Sequence, residues 1–243
     1  MKPLSLNRNQ LKYIAAIAMT IDHIAWAFVP AASLPGQIMH LIGRLTAPIM
    51  AYFIVEGYVH TRSVGKYVLR MAIFALISWP AFVLFEYGRL PFSLSGKWLS
   101  LYLDFGVIYT LFLSLLAVWL WDKGPCPRAV KLLGIAGLCL LSRWGDWPVY
   151  DVLFTLTFFI WRNDKKRLWT AYCFVAAIVV ANLWMVYGFA KQLFQVGVFL
   201  VIPLLALCYN GEKGSSRPVH KWFFYVFYPA HLLVLTLLKA FLL

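Results

Sequence analysis

Long, unbroken apolar runs separated by short polar and basic stretches organise this chain. They lie at roughly 12–29, 44–62, 66–86, 101–121, 130–143, 149–162, 168–187, 192–209 and 222–242. A helix needs about 20 apolar residues to cross a hydrocarbon core of about 30 Å. The runs are continuous instead of alternating, which points to helices and away from barrel strands. The pattern therefore predicts an all-α, polytopic membrane helical bundle of about nine transmembrane helices, forming one domain over 1–243. The fifth and sixth runs are short, as a tilted or re-entrant segment would be. Pro30, Pro35 and Gly36 read as a break after the first helix; Pro91, Ser93, Ser95 and Gly96 mark the longest outer loop; Asn210–Pro218 reads as a polar cytoplasmic turn.

Composition agrees with this reading. The chain is 63% hydrophobic and 13% charged, against roughly 25% charged residues in a soluble domain. The net charge of +13 would suggest nucleic acid in a soluble protein. Here the bases gather in short loops, so they set orientation in membrane lipid, and no nucleic-acid partner is expected. Sixteen fall on the side shared with the N-terminus (Lys2, Arg8, Lys12, then Arg62, Lys66, Arg70, and onward to Lys213, Arg217 and Lys221). Six fall opposite: Arg44, Arg89, Lys97, Arg143, Lys191 and Lys239. The positive-inside rule gives N-inside, C-outside, and an odd number of spans fits that alternation. Cys126, Cys139, Cys173 and Cys208 lack a C-x-x-C pair, so no disulfide framework is expected. Met1–Lys12 and the apolar run behind it resemble a signal peptide in outline. Asp22 and His23 interrupt the run, however, and favour a retained first helix.

Those two residues are the chemistry that needs explaining. Ionisable groups within a membrane span are costly and normally face a protein interior or a wet cavity. One reading is a general base, His23, tuned by the Asp22 carboxylate; the other is an interhelical polar clamp. Lys12 sits about 16 Å from His23 along the helix, at headgroup level, where it serves either a phosphate or plain anchoring. Arg44, after Gly43, opens the second helix from the outer side and is placed to pair with Asp22. Tyr52, Glu56 and His60 follow at four-residue spacing, a stripe on one helix face. His231 lies mid-way along the last apolar run, behind Pro229, which removes a backbone donor. Asp104, Asp146 and Asp151 read as solvated or capping groups near outer helix ends. No cluster has metal-ligand spacing, and no P-loop, G-x-G-x-x-G or G-x-S-x-G motif occurs.

Several segments together resemble the TraX family, whose founding type acetylates the N-terminus of an F-type conjugative pilin. They are Leu11-Lys12-Tyr13 through Ile21-Asp22-His23-Ile24, Ile42-Gly43-Arg44-Leu45-Thr46-Ala47-Pro48, and Glu56-Gly57-Tyr58 with His60-Thr61-Arg62-Ser63. Tyr150-Asp151-Val152-Leu153 running to Trp161-Arg162, and Phe223-Phe224 to Tyr228 with His231-Leu232, continue it. Lys12 and His23 also resemble the basic-x10-His pattern in the first helix of acyltransferase-3-type membrane enzymes. The usual glycine of the family's Asp-Tyr-Gly segment is replaced here, with Asp146-Trp147-Pro148 before Tyr150.

The resemblance implies a membrane acetyltransferase of the bacterial inner membrane. It would use cytoplasmic acetyl-CoA as donor and act on a pilin or other acceptor at the outer face. It implies His23 as base and Lys12 on the acyl-CoA side. A mechanism on that basis adds Asp22, His231 and Arg44 to the catalytic site, Arg62, Lys66 and Arg70 to the acetyl-CoA side, and Tyr52, Glu56 and Tyr228 to the cavity. Two rival classes stay open: a proton-coupled transporter and a non-catalytic pilus-assembly protein.

Overall fold

The computed structural model describes residues 5–95 and 98–242; Lys2, Gly96 and Lys97 of the sequence reading lie outside the described residues. The architecture is helical. Helix α1 is Arg8–Phe28, α2 Leu34–Gly43, α3 Thr46–His60, α4 Val64–Tyr87, α5 Val107–Lys123, α6 Arg128–Leu141, α7 Tyr150–Ile160 and α8 Lys165–Tyr187. A helical segment over Ala190–Cys208, here α9, is followed by α10, Pro218–Leu242. The longest expected loop carries a short antiparallel hairpin, β1 Phe92–Ser95 and β2 Trp98–Leu101, in which Phe92 faces Leu101.

Among the described residues, six helical stretches are long and apolar enough to cross a membrane: Arg8–Phe28, Leu34–His60, Val64–Tyr87, Lys165–Tyr187, Ala190–Cys208 and Trp222–Leu242. The fourth, fifth and sixth expected spans correspond to helices of 17, 14 and 11 residues. The fourth is shorter than expected because residues 101–106 belong to β2 and to a bridge between Phe105 and Gly145, not to a helix.

The largest departure lies at the second span. Arg44 does not open a helix from the outer side. It caps α2 with helical dihedrals (φ −61°, ψ −14°), so α2 leads directly into α3 and the apolar stretch runs 27 residues, Leu34–His60. Pro35 does not break this stretch because it occupies the first turn of α2, where its missing N–H has no helical partner to lose. Ser33 caps the same turn by accepting the Gly36 N–H. Helix α1 starts on a reciprocal capping box: the Asn7 side chain accepts the Gln10 N–H at 3.1 Å, and the Gln10 side chain accepts the Asn7 N–H at 2.9 Å.

The chain falls into two compact units. The first is Met1–Phe53 with Thr157–Phe224; the second is Ile54–Leu156 with Tyr225–Leu243. In the first unit α2 packs between α1 and α9, and α8 covers α9. Tyr172, fully buried, donates to the Val198 carbonyl at 2.8 Å and stacks on Phe158. The extended turn before α10 is fastened to the N-terminal segment: Asn210 N–H bonds Leu6 O and Arg8 N–H bonds Glu212 O. In the second unit α5 packs against α4 and α6. Cys126, Cys139, Cys173 and Cys208 are all free thiols.

Candidate functional site

Helix α2 carries Gln37, His40 and Arg44 at spacings of three and four, which aligns them on one face. That face meets α1 at Asp22. The Nδ1 of His40 donates to Asp22 Oδ1 at 2.7 Å, and Nη2 of Arg44 donates to Asp22 Oδ2 at 2.6 Å. Both carboxylate oxygens are thereby engaged, one by an imidazole and one by a guanidinium. The cluster is dry: His40 is 0% exposed and the side chains of Arg44 and Asp22 are 7% and 13% exposed.

Glycines make the approach possible. A Cβ on Gly43 would lie 2.4 Å from the Asp22 carboxyl atoms, and one on Gly197 of α9 would lie 2.2 Å from the Leu41 carbonyl oxygen. Aromatic rings fix the imidazole further. Trp26 and Phe194 lie against His40 with centroids 4.4 and 4.9 Å away, and the Arg44 guanidinium sits 5.1 Å over Phe194. Gln37 ties α2 to α9, accepting the Phe194 N–H and donating to the Lys191 carbonyl.

His23 follows Asp22, whose carboxylate bonds His40 and Arg44. The Nδ1 of His23 donates to the Met19 carbonyl of its own helix at 2.9 Å. Neighbouring helical residues diverge by about 100°, so one side chain turns toward α2 while the other does not. Because a carbonyl only accepts, Nδ1 carries the hydrogen, and in the neutral ring the lone pair is on Nε2.

Lys12 is embedded in aromatic side chains, with its ammonium 5.6 Å over Phe53 and 5.5 Å over Phe224. Tyr52 packs edge-on against Phe53, Phe158 and Tyr209. Both lie in the first unit, as do Asp22, His23, His40 and Arg44.

The second unit holds the remaining expected residues. Glu56 and His60 share a helix face, with Glu56 Oε2 3.9 Å from His60 Nδ1; His60 is 59% exposed, a solvated helix end. Arg62 and Lys66 are exposed. Arg70 donates to the Tyr225 hydroxyl at 2.9 Å and lies over the rings of Tyr67 and Tyr225. Tyr228 is buried and accepts the Val107 N–H at 3.2 Å. A Cβ on Gly106 would meet the Tyr228 hydroxyl at 2.1 Å. His231, buried, stacks on Phe227 and donates from Nδ1 to the Phe227 carbonyl at 2.9 Å.

Asp151 is not a solvated group. It is fully buried; its Oδ2 lies 2.9 Å from the Thr110 hydroxyl, and its Oδ1 has no hydrogen-bond partner. The turn before it holds Trp147 and Val149 at φ 55° and 68°, a left-handed conformation costly for a β-branched side chain. The Val149 N–H is fastened to Ser142 Oγ at 2.7 Å. The substituted Asp146-Trp147-Pro148 segment is thus strained and held in place.

The residue missed from the sequence is His40. The signal was present as Gln37-His40-Arg44 at helical spacing within an otherwise apolar stretch.

The profile of the TraX protein family matches residues 7–239. The chain belongs to the TraX family. It is also 32% identical over 247 residues, covering 96% of each chain, to a probable fimbrial assembly protein FimC, serogroup H1, of Dichelobacter nodosus. No solved structure matches. TraX membership covers both compact units, from the cap of α1 almost to the end of α10, and so includes the whole Asp22 cluster.

Proposed function

We propose that this TraX-family chain is an acyltransferase of the bacterial inner membrane that moves an acetyl group from cytoplasmic acetyl-CoA to an acceptor at the outer face. The acceptor is the N-terminal amine of a pilin-like surface protein. The observation that carries the reading is the Asp22–His40–Arg44 cluster: an acid, an imidazole and a fixed cation, buried together in a chain rich in membrane-spanning helices. Such a cluster is expensive to bury.

The chemistry asks for these groups. An amine is protonated at neutral pH and attacks only after losing a proton, so a positioned base is needed. An imidazole held by a carboxylate is that base, and the carboxylate stabilises the imidazolium that results. A fixed cation such as Arg44 favours the negative charge that grows on the carbonyl oxygen during attack. Lys12 on α1, on the N-terminal, cytoplasmic side, suits the phosphates of the donor. N-inside, C-outside and an odd number of crossings follow from the basic loops, with the short helices α5, α6 and α7 completing nine passes.

A second reading has support of its own. The Asp22 carboxylate is fully hydrogen-bonded, as in a structural clamp, and the Dichelobacter relative is called an assembly protein. In that case the cluster holds α1 to α2 while the chain serves filament assembly without chemistry.

Transfer by the purified protein in lipid nanodiscs separates the two. With radiolabelled acetyl-CoA and a peptide bearing a free pilin-type N-terminus, label should pass to the peptide and not to its N-blocked form. Absence of transfer to any amine acceptor, with the protein folded, would overturn the enzymatic reading and leave the assembly role.

A further inference from the structure

We infer that His40 is a base of this site, and that its Nε2 takes the proton of the acceptor amine. The inference rests on the acyl-transfer reading and names the residue that performs its proton step.

Three observations meet at this ring. His40 is fully buried, so its orientation is fixed by its neighbours. Its Nδ1 is occupied by Asp22 Oδ1 at 2.7 Å. A carboxylate has no proton to give, so Nδ1 carries the hydrogen and Nε2 carries the lone pair. That Nε2 is buried and has no hydrogen-bond partner. A buried polar atom without a partner is unfavourable, by about 1–3 kcal/mol, and calls for a function or a ligand.

The arrangement is a carboxylate that orients an imidazole whose far nitrogen is left for a third group, the general pattern of an activated base. Trp26 and Phe194 lie against the ring, and Trp26 is itself 49% exposed.

The step balances without further reagents. The neutral form of the acceptor amine, its extra proton already released to water, attacks the thioester carbonyl of the donor; a C–N bond forms and the C–S bond breaks. The amine proton moves to His40 Nε2, and the electron pair of the broken bond leaves on the CoA thiolate. The imidazolium, stabilised by Asp22, returns the proton to that thiolate.

The test uses two substitutions that divide the ring. In His40→Asn the amide N–H takes the place of Nδ1–H and keeps the bond to Asp22, but nothing replaces Nε2. In His40→Gln the amide reaches toward Nε2 and abandons Asp22. Wild-type and variant proteins are compared in nanodiscs with labelled acetyl-CoA and the amine peptide. His40→Asn should keep the thermal stability of the wild type and lose at least about 100-fold in transfer rate, the usual contribution of a general base. His40→Gln should lose transfer to a similar extent.

If the wild type transfers and His40→Asn is as fast, His40 is a clamp and the inference is wrong, while the acyl-transfer reading survives. If neither variant folds, undiminished transfer by Asp22→Asn, which removes the carboxylate that holds Nδ1, overturns the inference by itself. If the wild type transfers nothing, the acyl-transfer reading has failed.

Discussion

At the scale of single residues, the account turns on one carboxylate with two partners. Asp22 accepts from His40 and Arg44 inside a nearly dry cluster. Removing one member of a buried ion pair leaves an uncompensated charge and costs about 3–5 kcal/mol, whereas replacing both by apolar groups costs far less. Arg44→Leu should therefore lower unfolding stability in detergent by several kcal/mol, and Asp22→Leu/Arg44→Leu should recover much of the loss. Additive effects in that double-mutant cycle would show that the pair is not coupled. Asp22 and Arg44 were legible in the sequence because charges within apolar runs stand out. His40 was not, because the expected helix began at Arg44 and left His40 in a loop. Asp151 was misread for a similar reason: a carboxylate near a predicted helix end reads as a cap, and only the fold shows it sealed against Thr110.

At the scale of elements, the decisive feature is the joined pair α2 and α3. Pro35 and Gly36 look like a helix breaker, yet Pro35 lies in the first turn, where proline is tolerated. Gly36 stands close to Pro30, its would-be Cβ 2.4 Å from that carbonyl oxygen. Hydropathy alone does not tell a proline that ends a helix from one that starts it, and this ambiguity hid α2. Helix α9 was legible as an apolar run but not as an irregular one. Its first part is tightly wound and its last turn, Leu204–Cys208, is wide. It presses on α2 through Gly197. Gly197→Ala places a methyl group 2.2 Å from the Leu41 carbonyl oxygen, so backbone must shift. The expected result is a lower melting temperature together with slower transfer, because the shift passes directly to His40 and Arg44. An unchanged melting temperature and rate would contradict the close α2–α9 contact. Overpacking of this kind typically costs about 1–3 kcal/mol.

At the scale of the whole molecule, the class was legible because composition and run length leave few alternatives for a chain 63% hydrophobic. Span boundaries were less so: short helices such as α6 and α7 carry too few residues for length to decide how they cross. Arg44 lies inside Leu34–His60 and not in a loop. The account thus holds that donor and acceptor arrive from opposite faces and meet at the Asp22 cluster. Sealed vesicles oriented with the N-terminal face inward test this most directly. They are loaded with labelled acetyl-CoA and given the amine peptide outside only. The account predicts labelled peptide in the outer medium with the wild type, and its loss with the near-isosteric Asp22→Asn. Transfer that needs donor and acceptor on one side, or that proceeds undiminished with Asp22→Asn, would contradict it.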